Sequence, residues 1–194
     1  MGFLDAILGR TKPVGANLDA LFSLPGAAIT LEAAESLSPT LHAGVCFKPS
    51  VGPAFEGAEQ ELVSLLRLDD DAGAREANTV SLEPPDQYGY RWVVIGASDF
   101  DSLVTRVHFV NSTLHEHGYG PQLLCSVFGF SGGGAASTYL VYLFKRGTFY
   151  PFVPLSGERR DNGAELRLKA ALSSDLQIEP ELDRWFPLWG LPVR

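Results

Sequence analysis

The chain has 194 residues, of which 45% are hydrophobic and 20% charged, enough apolar material for one good core at a size that suits a single domain. A formal net charge of −8 argues against the broad basic face that neutralising phosphates requires, so no nucleic acid is expected as a partner. Cys46 and Cys125 lie in strand-like apolar runs and read as small buried hydrophobes, not as a disulfide framework or a zinc pattern.

In chain order, "MGFLDAILGR" places Phe3, Leu4, Ile7 and Leu8 on one helical face, followed by Arg10 and Lys12. Ten residues are too few for a helix to persist alone, so residues 1–12 read as a docking helix or tail that needs a surface: the chain's own core, a partner or a membrane. Asp5 and the lack of a basic leading region argue against a secretory leader. No run approaches the about 18 uninterrupted apolar residues that a membrane span needs, so a cytoplasmic location is expected. "ITLEA" and "AGVCFKP" predict an early strand pair, with "LHAG" or Pro39 in the connection. A helix over "FEGAEQELVSLLRL" would put Phe55, Leu62, Leu65 and Leu66 on one side, and the acidic "DDDAGARE" after it reads as a solvated loop. "TVSLEPP" and "YRWVVIGA" form the next two strands, joined around "DQYG".

The clearest helix starts at "SDFDSLVTRVHFVNSTLHEHG", where Phe100, Leu103, Val107, Val110 and Leu114 recur at spacings of three and four. Ser98 or Asp99 can cap its start and Gly118 can supply a left-handed stop. "QLLCSVFGF" and "STYLVYLF", separated by "SGGGAA", read as a hairpin, and a turn at "KRG" leads to "TFYPFVP". In "STYLVYLF" both alternating sets are apolar, Tyr139, Val141 and Leu143 against Leu140, Tyr142 and Phe144, so this strand should be central and covered on both faces. Pro151 removes a ladder donor and places "TFYPFVP" at a sheet edge or bulge. A short helix over "NGAELRLKAAL" follows, with Leu166, Leu168 and Leu172, and residues 180–194 form a Trp- and Pro-rich lid across the sheet. Consecutive hairpins imply an α+β fold: a mainly antiparallel sheet with helices packed on it.

The motifs that suggest chemistry are weak. "GFSGG" fits the pattern of a nucleophile elbow at Ser131, but an elbow needs a helix next and a strand is expected there; the last histidine, His117, also precedes the serine. The same glycines lack the Lys-Ser/Thr ending of a phosphate loop. His108 and His115 lie two helical turns apart, roughly 10 Å, too far for one metal. Glu158, Arg159, Arg160, Asp161 and Asn162 read as a solvated charged loop. No catalytic residue, cofactor or metal is therefore expected.

At the scale of whole segments, "MGFLDAILGRTKP", "NLDALFSLPGAA", "VCFKP", "YGYRWVV", "VHFVNSTL", "GYGPQLLCSVFGF", "YLVYLFKRGTFYPF" and "RWFPLWG" resemble the PspA-associated protein family called PspAB, found with phage-shock-type envelope-stress systems. The resemblance runs end to end and has no active-site motif. It implies a non-enzymatic cytoplasmic accessory protein that works beside a PspA-like protein or another envelope-stress component, with peripheral contact at the inner membrane face left open. The residues expected to meet a partner are Phe3, Leu4, Ile7 and Leu8, then Lys145, Arg146 and Tyr150 around the aromatic turn, then Trp185 and Trp189. The small antiparallel α+β secretion chaperones offer one analogy for such a fold. The alternative reading is a small-molecule binder or hydrolase-like enzyme using a pocket beside Ser131, Glu158 and Arg160. A ligand protein should show a concave pocket and an adaptor an uncovered apolar patch.

Overall fold

A computed structural model describes residues 17–49, 57, 60, 64, 78–132 and 135–193. The expected helix at Phe3, Leu4, Ile7 and Leu8 lies outside them, as do most of the residues from 50 to 77. Within that stretch Gly57, Gln60 and Ser64 are helical, and the Ser64 hydroxyl donates to the Gln60 carbonyl at 2.8 Å.

The described chain begins with a 3-10 turn, Leu18–Ser23, that runs into helix α1, Leu24–Glu35. The early strand expected at "ITLEA" is therefore helix. Pro25 in its first turn is preset for helical backbone, and Leu24, Ala27, Ala28 and Leu31 recur at helical spacing and are all buried. The β-branched Ile29 and Thr30 suggested a strand, but Ile29 points to water at 71% exposure. Ser36 takes a left-handed conformation (φ 54°) and turns the chain into β1, Leu37–Phe47. Pro39 and "LHAG", expected in a connection, belong to β1. They fall at a register irregularity between Pro39 and Ala43 that includes left-handed Leu41 (φ 61°).

Six antiparallel strands follow the order β2-β3-β1-β4-β5-β6, with β2 Thr79–Leu82, β3 Arg91–Gly96, β4 Leu123–Gly132, β5 Ala135–Leu143 and β6 Thr148–Phe152. The hairpins expected between β2 and β3, β4 and β5, and β5 and β6 are all present. β5 is interior and the Pro151-bearing β6 is an edge strand, as alternation and the proline require. Helix α2, Phe100–Leu114, crosses between β3 and β4. Asp99 caps it, accepting from Ser102 N–H at 2.8 Å, and the chain continues through a π turn to Gly118 (φ 85°). Helix α3, Asn162–Leu172, follows the two-residue strands β7, Pro154–Leu155, and β8, Arg159–Arg160. Leu168 and Leu172 are buried, whereas Leu166 faces solvent.

Among the described elements, helices α1, α2 and α3 pack on one face of the sheet. Leu31, Leu103, Val107 and Leu172 meet Val45, Ile95, Phe128, Leu140 and Tyr142 there. The opposite face presents Trp92, Cys125, Val127, Tyr139, Val141 and Phe152. Both alternating sets of β5 are thus covered, one by helices and the other by the end of the chain.

Candidate functional site

The second face of the sheet is covered by a strap of irregular chain, residues 177–193, which is fastened in steps. It first docks along edge strand β6: Phe149 N–H donates to Gln177 O at 2.9 Å, Glu179 N–H donates to Phe149 O at 2.7 Å, and Ile178 forms a parallel bridge with Phe149. Glu179 then turns inward with no solvent exposure. Its carboxylate accepts from Arg146 Nε at 2.6 Å, Arg146 Nη2 at 3.1 Å and Thr148 Oγ1 at 2.7 Å. Burial pushes this carboxyl up, but the bonds from Arg146 and Thr148 outweigh it and hold the group below its ordinary range.

Trp185 is the next fastening. Its indole N–H donates to Glu179 O at 3.1 Å, and its ring stacks on Tyr150 with centroids 5.9 Å apart at 22°. Arg160 Nη1 donates to Trp185 O, Arg160 Nε pairs with the buried Glu165 at 2.9 Å, and the guanidinium lies 5.2 Å from the centre of the Phe152 ring. Arg160 is therefore a partly buried clasp and not part of the solvated loop expected from sequence. Asp161 is likewise engaged, capping α3 through Ala164 N–H at 2.9 Å. Tyr150 OH donates to Phe186 O at 2.9 Å, and Tyr139 OH donates to Val193 O at 3.1 Å. At the far end Gly44 leaves the space that Val193 and Trp92 use: a Cβ there would stand 2.8 Å from Val193 Cγ2 and 3.0 Å from Trp92 Cε3.

Between strap and sheet lies a cavity of about 630 Å³. Its floor includes Cys46, Leu124, Cys125 and Leu143. The strap supplies Phe186, Leu188 and Trp189, and the β2–β3 side supplies Asp86, Tyr88, Tyr90 and Trp92. Cys46 and Cys125 stand opposite each other on β1 and β4. A hydrogen bond from Cys125, then burial, push the Cys46 thiol far up, so Cys46 faces the cavity as a neutral group. Asp86 organises the opposite wall. Its Oδ1 accepts from the N–H groups of Tyr88 and Tyr90 at 2.8 and 2.9 Å, and left-handed Gly89 (φ 78°) completes the turn. Tyr88 and Phe186 stand out at the surface with 63% and 56% exposure.

The residues named from sequence separate into groups here. Lys145 is exposed at the β5–β6 turn, whereas Arg146 is held by Glu179. Tyr150 and Trp185 are buried at 1% and 5%, while Trp189 is half-buried in the cavity wall. Ser131 is exposed on β4, followed by β5 as the next described element, and none of Ser131, Glu158 and Arg160 lines the cavity. Sequence reasoning missed Asp86, Tyr90 and Trp92 as a unit. The readable sign was "DQYGYRW", a turn followed by aromatics at alternate positions, which a strand presents on one face. Among the described residues no cluster of three or more metal-ligating side chains forms, and no helix is long and apolar enough to cross a membrane.

Residues 1–193 match the family model described as PspA associated protein B. No curated protein and no solved structure matches the chain.

Proposed function

Since the chain belongs to the PspAB family, we propose that it is a non-enzymatic accessory protein of a PspA-type envelope-stress system, acting in the cytoplasm and binding a PspA-like protein or another component of that system. The observation that carries this reading is the family match along residues 1–193. The geometry supports it through exposed apolar groups, Leu182 and Phe186 on the strap and Tyr88 on the opposite cavity wall, with Lys145 exposed on the β5–β6 turn. Tyrosine is among the side chains enriched at binding hot spots. In this reading Lys145, Phe186 and Trp189 contact the partner together with the Phe3, Leu4, Ile7 and Leu8 face. Arg146, Tyr150 and Trp185 act from inside, holding the strap in the shape the partner meets.

Calorimetry of the full-length protein with a PspA-type protein tests this, alongside a version lacking residues 1–10. The expected result is saturable binding that truncation abolishes. Absence of binding in both versions would remove the adaptor reading. Ser131→Ala is expected to leave folding and partner binding unchanged; if it also abolished biological activity, an enzyme using that serine would be the better account. Ile7→Asp separates the two uses of the first segment. Weakened association means outward docking, and a lowered Tm means the segment belongs to the core.

A further inference from the structure

Three properties of the cavity beneath the strap restrict what can occupy it. Its volume of about 630 Å³ suits a small organic molecule. Its walls carry the aromatic side chains of Tyr88, Tyr90, Trp92, Tyr150, Phe186 and Trp189, and none of the described residues that line it is a lysine, arginine or histidine. Among its described lining residues the one carboxylate, Asp86, uses Oδ1 to hold the backbone of Tyr88 and Tyr90, and Oδ2 makes no bond to another described residue. Among the described residues of the lining, Asp86 is the one acidic or basic side chain. Arg160, whose field reaches Tyr150, is bound to Glu165 and to Trp185 O and stays outside the lining.

An anionic head such as a sulfate or carboxylate would meet Asp86 with no counter-charge. A neutral occupant would cover Asp86 and leave its second oxygen without water or a donor. A positively charged nitrogen avoids both costs, since aromatic rings attract cations and the carboxylate balances the charge. We propose that this cavity is a binding site for a small organic ammonium ion with an apolar body, the cation beside Asp86 among the aromatic walls and the body over Cys46, Leu124 and Cys125. This site requires no protein partner, so its failure leaves the accessory-protein reading standing.

The test titrates the full-length protein with octyltrimethylammonium, octyl sulfate and octanol, which share a tail and differ in charge. Calorimetry measures affinity, and Trp92 and Trp189 in the wall report occupancy by fluorescence. The ammonium should bind at one site roughly tenfold more tightly than octanol, and octyl sulfate should bind more weakly than either. Asp86→Asn keeps an Oδ1 acceptor for Tyr88 and Tyr90, so Tm should hold while ammonium affinity falls to that of octanol. Leu124→Trp, which fills the floor, should abolish binding of all three. Equal affinity for sulfate and ammonium, ammonium affinity untouched by Asp86→Asn, or no binding of any probe would each overturn the proposal. So would displacement of the amphiphile by a lysine homopeptide at equal affinity, which would assign the negative pole to a partner's side chain.

Discussion

Glu179 has no solvent exposure, yet it remains charged because three donors from two side chains, Arg146 and Thr148, converge on it. Its folded-state pKa lies below the ordinary 4.5, so the unfolded chain binds the proton more readily. The stabilisation is fully present above the unfolded value and is lost as pH falls through the folded one. Melting curves should therefore show wild-type Tm dropping between about pH 5 and pH 3, with a shallower drop in Glu179→Gln. At pH 7 Glu179→Gln should lower Tm by several degrees, because a neutral amide leaves the Arg146 fork poorly paired. Parallel profiles for the two proteins would show that another group carries the acid sensitivity. None of this could be read in advance. The stretch "QIEPELDRW" has no motif, and its partner lies 33 positions earlier. The same holds for Cys46 opposite Cys125: alternation shows which face each residue takes, but pairing register depends on the β1 irregularity, where Leu41 is left-handed.

Local periodicity was sufficient for α2 and insufficient for α1. The stripe of Leu103, Val107, Val110 and Leu114 is buried as spacing predicts, and Asp99 caps the helix through Ser102. Those hydrogen bonds hold the Asp99 carboxyl below its ordinary range. Asp99→Ala should cost about 1 kcal/mol, measured as a lower urea midpoint with an unchanged m-value. A loss within error would mean that packing alone fixes the helix start. In α1 two β-branched residues outweighed a helical burial pattern at the level of sequence, but the apolar face against the sheet decided the outcome. The junction that follows is also tight. Gly132 at the end of β4 has φ 116°, and a Cβ there would collide with the Ser36 carbonyl that turns α1 into β1. Gly132, in the sequence stretch weighed as a phosphate loop or an elbow, thus makes room for a neighbouring turn.

For the molecule as a whole, one sheet has two cores of different origin: helices build the first, and the strap closes the second. Trp185 belongs to the second core and is fixed there by its stack on Tyr150, its bond to Glu179 O and its carbonyl bond from Arg160. Trp185→Ala should cost about 3–5 kcal/mol in urea unfolding and reduce tryptophan-reported binding in the cavity. A cost under about 1 kcal/mol, typical of a surface position, would mean that the strap is a loose cover. The strap has a second consequence through its docking on Phe149. The opposite margin of the sheet, β2, is only four residues long, whereas β6 would offer a flat aromatic row of backbone donors and acceptors to any passing chain. Residues 177–179 occupy that row at its start, and Pro151 interrupts it further on. A chain ending at residue 176 should therefore assemble into larger species, visible by light scattering, through strand addition at β6. In the intact protein the same few residues that close the cavity also keep one molecule from becoming the template for the next.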